Sequence, residues 1–249
     1  MSRRLAVITP YYEEPIAYLE RCHQSVIAQG VDADHFMIAD GRPRDGVDEW
    51  AVRHVKLPTS HEDYGNTPRG IGSLLAKSEG YDFIAYLDAD NWYHEGHLHS
   101  LLTLWEQSSS SASCSFRTYH DEAGNPLGIF EHDENDLRHV DTSCFLIHRS
   151  GFACLPIWLD MPKELASIGD RIFLASLLHR KLSISSTRAR TVAYRSRHRA
   201  HYLLAGQPVP EGAKDEDLKT CALNYMRTAE GVSRCVEALG FWPPSYISL

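Results

Sequence analysis

The sequence predicts an α/β protein with a mainly parallel central sheet and helices on both faces, and three observations carry that prediction. Short apolar runs alternate with segments whose apolar residues recur every three or four positions, as βαβ units require. One run, Tyr81-Asp82-Phe83-Ile84-Ala85-Tyr86-Leu87, is apolar or aromatic at six of its seven positions and too short for a typical helix. It reads as a strand buried on both faces. The run ends on Asp88-Ala89-Asp90, placing two carboxylates at the carboxyl edge of a sheet, where open α/β sheets take their ligands. Two hard oxygen ligands there suit Mg²⁺ or Mn²⁺. The plainer reading of either aspartate is a helix cap, but one cap needs only one carboxylate.

Taken in order, residues 5–9 form a first short strand, closed by Pro10, which has no N–H to give a ladder. Glu13, Glu14 and Pro15 then open a helix in which Ile16, Leu19, Val26 and Ile27 keep helical spacing until Gly30. Residues 35–39 make a second strand, which runs into the turn-rich loop Asp40-Gly41-Arg42-Pro43-Arg44-Asp45-Gly46. Residues 52–57 are a third. Thr67-Pro68 supplies an N-cap and N1 pair for a helix carrying Ile71, Leu74 and Leu75 that stops at Gly80, and the central strand follows.

Beyond Asn91 the texture changes. Leu98, Leu101, Leu102 and Trp105 mark a helix that ends in the serines at 108–111. Residues 114–119 and 127–130 flank the turn residues 121–126 and predict a β-hairpin, and residues 140–148 predict another strand. Asp170 stands at or near the N-cap of a helix carrying Ile172, Phe173, Leu177 and Leu178, and residues 191–194 form a last strand. This half reads as more antiparallel and irregular than the first. Residues 195–201, with Arg195, Arg197, His198, Arg199 and His201, are too polar to bury without anionic partners and predict a mobile lid. Residues 215–239 predict one final amphipathic helix that packs on the rest.

At 249 residues and 43% apolar content, the chain suffices for one large domain with a sizeable core. A net charge of −8 argues against broad electrostatic binding to nucleic acid, so no nucleic-acid partner is expected. There is no apolar run of transmembrane length and no signal-type opening, which predicts a soluble, cytoplasmic protein. The six cysteines lack Cys-x-x-Cys spacing and read as reduced core thiols.

The order of these signals, over roughly residues 5–200, resembles the inverting glycosyltransferases of family 2, with their GT-A fold. Thr9-Pro10-Tyr11-Tyr12-Glu13 resembles the family's opening strand end, and Gln24 to Gln29 the close of its first helix. Asp40-Gly41 with Asp45-Gly46 resembles its acidic turn loop, although Arg42-Pro43-Arg44 replaces small residues. Arg69-Gly70 precedes the central strand, Asp88-Ala89-Asp90 matches the Asp-x-Asp motif, and Gly169-Asp170 resembles the Glu-Asp signature with Gly at the first place. Tyr194-Arg195-Ser196-Arg197-His198 is similar to the Tyr-Arg-x-His that follows the last strand. A dehalogenase-type enzyme would carry Asp-x-Asp on its first strand. A sugar nucleotidyltransferase would place a glycine-rich loop after strand one, yet residues 9–15 contain no glycine.

The resemblance implies a Rossmann-like nucleotide-binding half at 1–107 and a smaller mixed antiparallel acceptor-binding half at 108–205, together a GT-A domain, followed by a helical extension at 206–249. It implies a hexosyltransferase-like enzyme taking a UDP or GDP sugar donor and a carbohydrate or other hydroxyl acceptor, with a second copy of the chain as an open partner reading. Donor contacts fall to Thr9, Tyr11, Glu13, Asp40, Arg69, Asp88 and Ala89. Asp90, with Asp88 and His198, would hold Mn²⁺ or Mg²⁺, and Asp170 would act as general base. Arg69 reads equally as a surface arginine, His198 as a loop histidine, and Asp170 as a simple cap. His139 and Asp141 are further candidates on the acceptor side. The spacing of His94, His97 and His99 does not put all three on one helical face, so they read as solvated histidines. The competing class is a non-catalytic nucleotide-sugar or glycan-binding module, which would have no need of Asp170.

Overall fold

The computed structural model describes residues 3–130, 137–214 and 218–247. Strands β1 (Leu5–Tyr11), β2 (Ala33–Ala39), β3 (Arg53–Lys56) and β4 (Phe83–Tyr86) lie parallel in the order β3-β2-β1-β4. Four more strands extend the sheet beyond β4: β5 (Trp92–Tyr93), β6 (Ala112–His120), β7 (Phe145–His148) and β8 (Ile184–Arg195), in the order β7-β6-β8-β5. Here β7 is antiparallel to both β4 and β6, β8 is parallel to β6, and β5 is antiparallel to β8. The sheet is therefore parallel on the side of the first helices and mixed on the other.

Helices cover both faces because alternate strand residues point to opposite sides. On one side Thr9 meets Cys22, and Met37 packs with Leu19, both from α1 (Ile16–Ile27). On the other, Gly72 of α2 (Asn66–Ser78) sits so close to Ile8 and Ile38 that any Cβ would overlap them. Glycine at that position sets how near the helix can lie to the sheet. Then follow α3 (His97–Ser108), a short α4 (Ile157–Asp160), α5 (Gly169–His179) and a short α6 (Arg199–Leu204).

Several boundaries differ from those the sequence predicts. The second helix begins at Asn66, after Gly65 in a left-handed conformation, and Thr67 donates its N–H to Asp63 at 2.8 Å instead of capping. The predicted hairpin reduces to one bridge, His120 to Pro126, and β6 spends its length beside β8, a partner about seventy residues away. Such a non-local parallel pairing leaves no turn signal to read. Residues 142–144 form a 3₁₀ turn, so the strand predicted at 140–148 shrinks to β7. The final helix is two, α7 (Leu218–Met226) and α8 (Ala229–Leu239), because Thr228 caps the second through a 2.9 Å bond from Gly231 N–H. Ala222, Met226, Cys235 and Leu239 from this pair join the main core. Among the described residues no helix is long and apolar enough to cross a membrane.

Candidate functional site

Two clefts, each of about 440 Å³, open along the carboxyl edge of the parallel strands and share Tyr64, Arg69, Asp88 and Tyr194 as a common wall. The first lies over the ends of β1, β2 and β4 and is lined by Tyr11, Tyr12, Glu14, Asp40, Ala89 and Asp90, among others. The second lies on the β6 and α5 side and holds Arg117, His139, Asp141, Asp170 and His198.

In the first cleft Asp40 follows β2 directly and is almost wholly buried. Its carboxylate accepts from the His61 ring at 2.6 Å, from the His61 backbone N–H at 3.1 and 3.2 Å, and from Ser60 Oγ at 3.2 Å. This ties the 60–61 loop to the strand end. Gly41, at φ +77°, makes the approach feasible, since a Cβ there would overlap the backbone of Thr59 and Ser60. Tyr11 presents its ring to the cleft while its hydroxyl bonds His54 Nε2 at 2.6 Å and accepts from Arg44 N–H at 3.0 Å.

The Asp88-Ala89-Asp90 turn is braced from below. Asp88 N–H donates to Ser143 Oγ at 3.1 Å, Asn91 Nδ2 donates to the same oxygen at 3.2 Å, and Asn91 Oδ1 accepts from Arg195 N–H at 2.9 Å. Arg69 reaches Asp88 Oδ1 at 2.7 Å and Asn66 Oδ1 at 2.9 Å, with its guanidinium stacked 4.8 Å from the Trp158 ring centre. Asp90 is different. Its backbone carbonyl accepts from Arg195 Nε at 3.0 Å, but among the described residues no side-chain donor meets its carboxylate. Burial, then the neighbouring charges of Asp88 and Glu14, push its proton affinity up to about 7.

A half-buried carboxylate raised by two like charges is a place where a cation lowers the free energy. Two carboxylates also leave coordination positions for phosphate oxygens and water, as Mg²⁺ or Mn²⁺ require. The donor set therefore fits such an ion. Among the described residues no group of three or more metal-ligating side chains is gathered in advance, and His198 lines the second cleft.

In the second cleft two ion pairs sit side by side. Arg117, from the middle of β6, pairs with Asp141 and lies between the rings of Tyr119 and Tyr194, 4.9 and 4.6 Å from their centres. Asp141 also caps the 142–144 turn by accepting from Ser143 N–H at 2.9 Å. Asp170 stands in the first turn of α5, where Oδ1 accepts from Arg171 N–H at 2.7 Å and Oδ2 meets His139 Nε2 at 2.6 Å. Burial acts to raise the Asp170 carboxyl, but His139, Arg171 and Arg117 together outweigh it and hold the group below its usual range. Burial pushes Asp141 the other way, above its usual range against the pull of Arg117.

Of the residues the sequence singles out, Tyr11, Asp40, Arg69, Asp88, Ala89 and Asp90 come together at the first cleft, and Asp170, His139, Asp141 and His198 at the second. Thr9 does not. It is fully buried in β1 and bonded to His35 at 2.8 Å. Glu13 lies outside both clefts, exposed beside Arg42 at 3.7 Å. Arg195 is no part of a mobile lid: it is 4% exposed, donates to the carbonyls of Asp90 and Glu122, and stacks 3.9 Å from the Tyr18 ring centre. The anionic partners that burial demands are backbone carbonyls and aromatic faces, which no sequence pattern announces. Residues 199–204 of the same stretch are helical. His97 is wholly buried, not solvated, with Nδ1 bonded to Thr191 at 2.8 Å. Arg117, Tyr64 and Glu14 are additions. Arg117 had a signal, since a charge inside the run 114–119 implies a buried partner.

The sequence model of the family described as "Glycosyl transferase family 2" matches residues 6–136, just over half of the chain. No curated protein matches it by sequence. Among solved structures, S. aureus TarS 1–349 in complex with UDP is similar at TM-score 0.59 and 14% identity, covering 95% of this chain and 70% of that one. The same protein in complex with UDP-GlcNAc gives 0.60 and 15%, over 94% of this chain and 73% of that one. A further S. aureus TarS structure is covered over only 43% of its length. At such identities the likeness is one of fold.

Proposed function

The chain belongs to glycosyl transferase family 2, and on that premise we propose that it transfers a hexosyl group from a nucleoside diphosphate sugar to an acceptor hydroxyl, inverting the anomeric centre. The observation that supports this reading best is the meeting of the two clefts at Asp88, with an uncompensated acid on one side and a half-buried acid held below its usual range on the other. The first cleft takes the donor and the second the acceptor.

Tyr11 and Tyr12 offer ring faces to the nucleobase, and Asp40 offers an acceptor fixed by His61. Asp90 and Asp88 would hold Mg²⁺ or Mn²⁺, which when bound supplies Lewis-acid neutralisation of the diphosphate. Arg69 acts one step back from the role the family resemblance implies: it orients Asp88. Asp170 receives the acceptor's proton. As the acceptor oxygen bonds to the anomeric carbon, its O–H bond breaks toward the Asp170 carboxylate, and the bond to the diphosphate breaks with its electron pair leaving on the nucleotide. A single displacement of this kind inverts the configuration.

Titration calorimetry of UDP and GDP, with Mn²⁺ and then with EDTA, tests the donor side. Binding of one nucleotide that disappears in EDTA is expected. Equal affinity in both conditions removes the metal role, and no binding of either removes the donor assignment.

A further inference from the structure

The second cleft contains a contact outside the motifs named above: the His139 ring lies 2.6 Å from the carboxylate of Asp170, thirty-one residues later in the chain. Both ends of this contact are fixed. Asp170 is held by α5 and by Arg171 N–H on its other oxygen at 2.7 Å, while His139 is 7% exposed at the edge of the Asp141 cap. An ionised carboxylate can only accept, so His139 Nε2 carries the proton. The charges facing the pair are Arg117 from β6, Asp141 from the turn before β7, and Arg171 from α5 itself.

We propose that His139 is a positioning residue for the base: its Nε2–H fixes the Asp170 carboxylate in one rotamer, with an open lone pair toward the acceptor cleft. This rests on Asp170 being the base. A carboxylate on a helix start is otherwise free to turn about χ1 and χ2, and in its alternative rotamers its oxygens point away from an attacking hydroxyl. The pairing also favours the ionised base against burial, which acts to raise its proton affinity, in agreement with the depressed carboxyl. The cost is weaker proton affinity, which the fixed geometry offsets. Asp141 does not share this arrangement, since Arg117 and Ser143 N–H occupy its two oxygens from below.

Two measurements on the full chain test the pairing and the catalytic role separately. In histidine-ring NMR titrations, with the His139 signal identified by its loss in His139→Gln, the ring should titrate at higher pH in the native chain than in Asp170→Asn. An unchanged titration overturns the pairing, whatever the protein's activity. In the second, release of nucleoside diphosphate from a donor sugar with Mn²⁺ is followed against pH. His139→Phe, which lacks a donor, should lose about 10-fold in kcat with donor KM within about twofold, and its acid limb should move to higher pH. His139→Gln, which keeps an N–H donor, should recover most of kcat. Native kcat and an unshifted limb in His139→Phe would overturn the proposal; should that variant not fold, His139→Gln and the NMR arm decide it. Absence of turnover in the native chain across all donors counts against the transferase reading and leaves the NMR result standing on its own.

Discussion

Asp90 in the first cleft and Asp170 in the second are held in opposite states. In the first cleft, Asp90 has no side-chain donor on its carboxylate among the described residues and is pushed up to about 7 by burial and by Asp88 and Glu14. In the second cleft Asp170 is paired with His139 and held below its usual range, and Asp141 is paired with Arg117. The difference separates an electrostatic task left for a ligand from one completed by folding. A charge that must be neutralised by an incoming metal is best left uncompensated, because an internal cation would compete with it. A charge that must stay ionised in a partly buried site is helped by a permanent partner.

The largest effect should come from breaking the compensated side. Arg117→Met leaves Asp141 buried without its cation and should destabilise the chain by about 3–5 kcal/mol, measured by denaturant unfolding. The exposed Arg53–Glu79 pair, at 2.6 Å, provides the control: Arg53→Ala should cost less than about 1 kcal/mol. Equal losses in the two variants would erase the distinction.

On the uncompensated side, Asp90→Asn should reduce transfer by more than about 100-fold, the upper cost of losing an outer-shell partner of a metal. Its melting temperature at neutral pH should not fall, because the substitution removes like-charge repulsion. A destabilised variant would mean that Asp90 has a structural partner. Next, Asp170→Asn should lower turnover by about 100-fold while nucleotide affinity stays within about threefold. Product NMR should show a linkage opposite in configuration to the donor's, and retained configuration would dismiss Asp170 as a single-displacement base.

The smallest effect is a pH dependence. Asp90 binds its proton more tightly in the folded chain than at the ordinary carboxyl value of 3.8, so the stability it lends is complete below that value and is lost as pH rises to about 7. A bound divalent cation offsets that loss. Mn²⁺ should therefore raise the melting temperature more at pH 8 than at pH 6, by a few degrees, and equal increments would contradict the assignment.

The two halves also differ in how much their sequence discloses. The strand, loop and helix units of residues 5–90 are local and punctuated by Gly30, Gly41 and Gly80, so Asp40, Asp88 and Asp90 can be placed at strand ends in advance, although Pro10 does not close the first strand, which pairs with β2 through Tyr11. Buried fates within those strands were not legible: Thr9 and Tyr11 both belong to the strand end, but only Tyr11 reaches the cleft. In the second half β6 pairs with β8, Arg117 with Asp141, and His139 with Asp170, at separations that leave no periodic trace. Arg195 shows the same limit, because its partners are backbone carbonyls and rings supplied by distant elements.

The central claim, that an uncompensated donor cleft and a compensated acceptor cleft together transfer a sugar, meets its most direct test in a donor panel. Nucleoside diphosphate release is measured for UDP and GDP sugars with Mn²⁺, for the native chain and for Asp90→Asn. Turnover of at least one donor that is lost in EDTA and in Asp90→Asn is the predicted result. Release that persists undiminished without metal and without Asp90, or no turnover of any donor, would contradict it.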